Sequence, residues 1–299
     1  MATSTSSPIF ITSVQDLPVF LSSITQSSTL YLDLEGKNLS RNGTLSIITV
    51  LVQPAGTTNL IDIQTLGDTA FATATTGGKT LKSILEDPLL PKYVWDVRND
   101  ADALWAHHRV KLAGVTDVQL LENGSRPGDK TYLRGLGTCV EKDLKLNFME
   151  VHRWVKTKKE VQALMGEDIF SRRPLDVRTM QYCANDVLHL PALRELYAGR
   201  INSVWMQKAM EESGRRVADA CCPTYEPQYE GKKLGPWGWG SGLGETVLTM
   251  DEWLEKYEDD RMDAMQAEWL GYDDYKDSDC YDWPLNSRDA AFDDTFDSC

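Results

Sequence analysis

The stretch Leu30-Tyr31-Leu32-Asp33-Leu34-Glu35-Gly36 decides how the chain is read. In a strand, alternate side chains point to opposite faces, so Asp33 and Glu35 share one face while Leu32 and Leu34 share the other. Two carboxylates side by side on an otherwise apolar strand repel each other and lose hydration. They persist only with a cation, a proton or solvent nearby. An edge strand with one wet face meets that need as well as a metal does, so the pair does not settle the matter alone. Working outward, the apolar runs LSIITVLVQ (45–53) and NLIDIQTL (59–66) follow, separated by Asn-Gly and Pro-Ala-Gly breakers. Together these three runs predict antiparallel strands. Helical spacing over 80–90 leads to a further strand, KYVWDV (92–97). Beyond it the period is helical, over 100–108, 131–143, 159–165, 176–198 and 200–213. Strands first and helices later, with one strand between them, give an α+β or α/β layout.

The chain has 299 residues, 41% hydrophobic and 25% charged, as expected of a globular protein rather than a disordered or fibrous one. No apolar run approaches the roughly 20 residues needed to span a bilayer. The first 36 residues contain neither Lys nor Arg, so no secretory or transit-peptide pattern is present, and the expected location is intracellular, in cytoplasm or nucleus. The six cysteines form no Cys-x-x-Cys pair and read as reduced thiols. The net charge of −14 is unevenly spread. Residues 213–299 hold 21 acidic and 8 basic side chains, whereas residues 1–212 are almost neutral. Residues 130–178 are basic, with Lys156, Lys158, Lys159, Arg172 and Arg173 close together, which suits either a phosphate-facing stretch or a solvated helix face.

Composition divides the chain into a frayed Ser/Thr-rich end at 1–7, a folded domain at 8–212 and an acidic, Trp-rich extension at 213–299. The extension opens with a Gly- and Pro-rich segment that includes Gly-Pro-Trp-Gly-Trp-Gly. A capping box of Thr249 with Glu252 predicts one helix within it, at about 250–270. A solubilising tail, a docking segment for a protein partner anchored by Trp253 and Trp269, and a mimic of nucleic acid competing for the basic stretch are all compatible with this composition.

Two further acidic groups accompany Asp33 and Glu35. Asp100 lies in WDVRNDADAL (95–104), where a strand passes into a helix; capping of that helix would also explain it. Asp96 and Asp102 fall within register error of the same position. Tyr182 and Asp186 lie four residues apart in QYCAND (181–186), on one face of a predicted helix, so a phenol and a carboxylate can address one point.

Taken in order, the strand Asp-x-Glu, the junction Asp and the late Tyr-x-x-x-Asp resemble the ribonuclease D-type members of the DEDD superfamily of 3′-to-5′ exonucleases, in the subgroup with Tyr in the last motif. The resemblance spans about residues 8–205 and includes VTDVQLLE (115–122), LRGLGTCVEKDLKL (133–146) and RRPLDVRTMQYCANDVLHLPALRELY (172–197). It implies an RNase H-like α/β fold with a central five-stranded mixed sheet flanked by helices. It also implies catalytic roles for Asp33, Glu35, Asp100, Tyr182 and Asp186, with the four acids holding two Mg²⁺ or Mn²⁺ ions. Such an enzyme hydrolyses RNA or DNA from the 3′ end to nucleoside 5′-monophosphates, by an in-line displacement between two ions. The segment WDVRNDADAL also resembles exonuclease-domain proteins related to Egalitarian, some of which serve as RNA-binding adaptors without turnover; an adaptor on this fold is therefore the alternative expectation.

Overall fold

The structure is a computed structural model that describes residues 7–164 and 167–237. The predicted helix at 250–270 lies outside the described residues, as does most of the N-terminal 1–7 segment. In chain order the strands are β1 (Ile9–Ile11), β2 (Thr29–Glu35), β3 (Ile47–Gln53), β4 (Thr57–Asp62), β5 (Lys92–Val94) and β6 (Val115–Asp117). The helices are α1 (Leu17–Ser23), α2 (Ile63–Leu66), α3 (Thr69–Ala72), α4 (Leu81–Leu85), α5 (Val97–His108), α6 (Val118–Ser125), α7 (Leu136–Asp143), α8 (Phe148–Gln162), α9 (Val177–Leu188), α10 (Leu190–Arg200) and α11 (Ser203–Ala220).

The six strands form one mixed sheet in the order β1-β4-β3-β2-β5-β6. The meander β2-β3-β4 is antiparallel, β5 joins β2 in parallel and β6 joins β5 in parallel. The sheet therefore has six strands rather than five. The additional one, β1, pairs in parallel with β4 at an edge, and three residues are too short a run to show a period of two. Gly36 ends β2 for a steric reason: a Cβ there would lie 1.9 Å from the Thr44 carbonyl oxygen.

Strand alternation sorts the core onto two faces. Leu30, Leu32 and Leu34 join Ile48, Val50 and Ile61 against α1, α4, α5 and α11. On the opposite face Tyr31 and Leu51 pack on Val187 and Leu190, and Ile47 and Leu60 pack on Cys183 and Tyr182. Asp33 and Glu35 belong to this second face, beneath α9.

Several helix boundaries differ from the sequence expectation. The run 176–198 is two helices, broken at His189, because Pro191 in the first turn of α10 cannot continue the preceding ladder. Instead of 159–165, α8 covers Phe148–Gln162; a reciprocal capping box between Asn147 and Glu150 starts it. Only Trp154 and Val161 are buried along α8, too sparse a stripe to read as a long helix. Finally, α11 runs through the 212/213 division to Ala220, burying Ser213, Arg216, Val217 and Ala220. The following segment also packs on this unit, with Leu234 bridging Tyr132 and Trp237 Nε1 donating to Asn123. No helix among the described residues is long and apolar enough to cross a membrane.

Candidate active site

The central strand and α9 bring three of the five predicted residues to one point. Ligand atoms of Asp33, Glu35 and Asp186 all lie within 4.8 Å of one another. β2 supplies the first two from alternate positions, and α9, packed across the sheet, supplies Asp186 from a buried position. Tyr182, one turn earlier on α9, is buried beside Phe170, with ring centroids 6.1 Å apart.

Electrostatics record the crowding. Burial first, and then the charge of Asp186, pushes Asp33 up to about 8, against the opposing pull of Lys158. Glu35 is raised well above the carboxylate range by burial and by Asp33 and Asp186, and its carboxyl shares a hydrogen bond with Asp33. Burial and the same carboxylates raise the Tyr182 phenol, keeping its proton on oxygen. Opposite Asp33 in the β2–β3 ladder, the fully buried Thr49 hydroxyl has no hydrogen-bond partner among the described residues.

The one cation bound to these acids among the described residues is Lys158, whose Nζ lies 3.5 Å from Asp186 Oδ1 and over the rings of Trp154 (4.9 Å) and Tyr182 (6.0 Å). In the sequence Lys158 stands out only as part of a basic stretch; its position twenty-eight residues before Asp186 carries no local signal that ties it to the acids. The two arginines of that stretch serve other ends. Arg173 is bound to the buried carboxylate of Asp62, and Arg172 pairs with Glu167 at 2.7 Å.

The three acids of the 95–104 segment have distinct surroundings. Asp96, in a left-handed backbone conformation, is gripped by Arg98 Nε at 2.6 Å and Nη2 at 2.7 Å. Although burial opposes it, that pairing holds Asp96 down at about 2. Asp102 is fully buried and accepts from the Arg41 backbone N and Nε, both at 2.6 Å. Asp100 is buried in the first turn of α5. Burial, followed by the charges of Asp33, Asp96 and Asp117, raises it well above the carboxylate range, with Lys232 opposing. Asp100 is thus the acid of this segment that faces Asp33 electrostatically without a fixed cation of its own. Asp117 is a structural acid: it accepts from the backbone N of Asp96, Val97 and Gln119 and from Arg216 Nη1 at 2.7 Å.

Oxygen-only donors of high negative charge, partly neutralised by a single lysine, suit hard divalent cations rather than zinc or copper. Among the described residues a second acidic group, Glu122 with Cys139 and Asp143, is tied up internally, Glu122 by Arg126 and Asp143 by the Tyr197 hydroxyl.

A mixed α/β sheet covered by helices on both faces, with acids converging from its central strand and a late helix, defines the RNase H-like class. Its topology is similar to that of ribonuclease D from Trypanosoma brucei, at 20% identity and a TM-score of 0.59 over 73% of this chain and 74% of that one. The same Trypanosoma brucei protein in complex with RNA U12 matches at 20% identity and a TM-score of 0.59, over 85% and 80% of the two chains. Ribonuclease D from Escherichia coli, an exoribonuclease involved in structured RNA processing, matches at 20% identity and 0.52, over 73% of this chain and 51% of that one. A family profile described as 3′-5′ exonuclease matches residues 8–196, and the chain belongs to that family. Enzymes of this family work with divalent metal ions, in keeping with the acid cluster. No curated protein matches the sequence.

Proposed function

We propose that this exonuclease removes nucleoside 5′-monophosphates from the 3′ end of single-stranded or 3′-extended nucleic acid, RNA ahead of DNA, using two Mg²⁺ or Mn²⁺ ions. The observation that carries the reading is the convergence of Asp33, Glu35 and Asp186 within 4.8 Å. Asp33, Glu35 and Asp186, with Asp100 from α5, would hold the ions. When bound, the ions supply the positive charge that activates water for attack at phosphorus and eases departure of the 3′ oxygen.

The chain's own groups do the rest. Tyr182 keeps its phenolic proton, so its hydroxyl can donate to, and orient, a water beside Asp186. Lys158 offers a positive charge at the mouth of an otherwise negative site, where a phosphate approaches. Trp154 and Tyr182 fix the path of the Lys158 side chain. The RNA preference is supported by the ribonuclease D neighbours, one of them solved with RNA.

The test is a denaturing-gel time course of wild type and Asp33→Ala on 5′-labelled single-stranded RNA and DNA with Mg²⁺, Mn²⁺ or EDTA. A ladder shortening from the 3′ end, present with metal and lost in the variant and in EDTA, is the expected result. Binding without any ladder in wild type would replace the enzyme with an adaptor on the same fold.

A further inference from the structure

The helix that delivers Lys158 to the acids turns its other face to solvent, and that face has an unusual composition. Phe148 is 79% exposed and Met149 62% exposed at its start. The Phe148 ring stacks on His152, with centroids 5.9 Å apart and planes inclined by 20°. Arg153, Lys156 and Lys159 are exposed along the same helix. At 100° per residue, Phe148, His152, Lys156 and Lys159 fall within one arc, a stripe about 16 Å long at 1.5 Å rise per residue. The acids beside it offset little of its charge. Glu150 is occupied in capping Asn147, and Glu160 meets Lys156 only loosely, at 3.9 Å. Burial does not explain the aromatic end, because α8 packs inward through Trp154 and Val161 on the opposite side.

An exposed planar aromatic pair followed by a row of cations matches one kind of partner: a strand of unpaired bases on a phosphate backbone. Bases stack on aromatic faces irrespective of sequence, while Lys and Arg follow the phosphates. The stripe runs along the same helix as Lys158, which lies on Asp186. We propose that the exposed face of α8 is the path of the single strand behind its 3′ end, with Phe148 and His152 as a stacking platform and Arg153, Lys156 and Lys159 as phosphate ligands. This rests on the exonuclease reading above. It adds the track that holds the body of the substrate while its terminal nucleotide sits at Asp33, Glu35 and Asp186.

The experiment uses the full chain. Binding of a fluorescent single-stranded 12-mer RNA is measured with Phe148→Ala/His152→Ala and with Lys156→Glu/Lys159→Glu, each in an Asp33→Ala background that prevents digestion. Hydrolysis of the 12-mer and of a dinucleotide is measured for the same pairs without that change. Because these side chains are exposed, the variants should keep the wild-type thermal midpoint. Stacking of one base implies that 12-mer affinity falls about 5- to 100-fold in the aromatic pair. In the lysine pair affinity falls and its salt dependence flattens, by about 0.7 in log–log slope for each phosphate that the variant no longer neutralises. For both pairs the loss in hydrolysis is more than two-fold greater for the 12-mer than for the dinucleotide, which does not reach the platform, and it follows the loss in 12-mer affinity. Folded variants that bind and digest the 12-mer within two-fold of their parents overturn the track and leave the enzyme standing, as expected if this face docks a protein instead. A wild type that neither binds the 12-mer nor cleaves either substrate removes the exonuclease reading, and the track with it.

Discussion

Replacing Asp33 by Asn should stabilise the metal-free protein at alkaline pH while abolishing its activity. In the folded chain burial and Asp186 lift the Asp33 carboxyl from 3.8 to about 8. The folded state therefore binds this proton more tightly than the unfolded chain. The resulting stability is fully present below the unfolded value near 4 and is lost as pH rises through about 8. Taken in full, that displacement corresponds to on the order of 5 kcal/mol. Asp33 retains some solvent access, and screening reduces the expected effect to about 2–3 kcal/mol, or about 5–10 °C in Tm for a domain of this size. Urea unfolding in EDTA at pH 5 and pH 8 measures it directly. Wild type loses stability between the two, Asp33→Asn loses distinctly less, and divalent metal at about 100 times its Kd restores about 2.7 kcal/mol to wild type alone. Equal stability of wild type at the two pH values in EDTA, or an Asn variant that follows wild type, would refute the picture of three carboxyls crowded without a matching cation.

Three further outcomes follow from the same geometry. Asp100→Asn should stop the 3′-end ladder with little cost in urea stability, whereas Asp102→Asn should cost about 3–5 kcal/mol by leaving the Arg41 guanidinium without its buried counter-charge; equal stability losses in the two variants would contradict their assignment. Tyr182→Phe keeps the ring packed against Phe170 but removes the hydroxyl, so turnover should drop about 100-fold or more with Tm nearly unchanged, measured by single-turnover cleavage. Truncation after Trp237 removes 18 acidic and 4 basic residues while keeping all the packing described above. If those acids compete with nucleic acid, oligonucleotide affinity rises at low salt on truncation, and unchanged affinity ends that idea.

What could be read in advance was whatever depends on local periodicity. β2 announced itself because Leu32 and Leu34 alternate with Asp33 and Glu35, and a period of two also fixes which side chains face α9. Tyr182 and Asp186 were legible for the matching reason, four residues being about one turn of helix. The segment 95–104 was not resolvable from sequence, because it holds three acids within seven residues and what sets Asp102 apart from Asp100 is a partner distant in the chain. Arg41, sixty-one residues before Asp102, engages that acid and then reaches the carbonyls of Ala220 at 2.9 Å and Cys222 at 2.8 Å. Such a clip also explains why the compositional boundary at 212 misplaced the end of the folded unit. The chain turns Gly- and Pro-rich after 220, yet Tyr225 and Lys232 both bond Asn99 at the start of α5. Lys158 was hidden for the same reason, its role resting on an approach between two helices.

The chemical identity of the first product tells directly whether the protein is a 3′-to-5′ exonuclease. An oligonucleotide carrying a radiolabel in its terminal internucleotide linkage, incubated with the protein and Mn²⁺ and resolved by thin-layer chromatography, should release its label as the terminal nucleoside 5′-monophosphate before any longer fragment. Asp33→Ala and EDTA should release none. Label appearing first in internal fragments or as a 3′-monophosphate, or no release by wild type under conditions where ribonuclease D is active, would contradict the account.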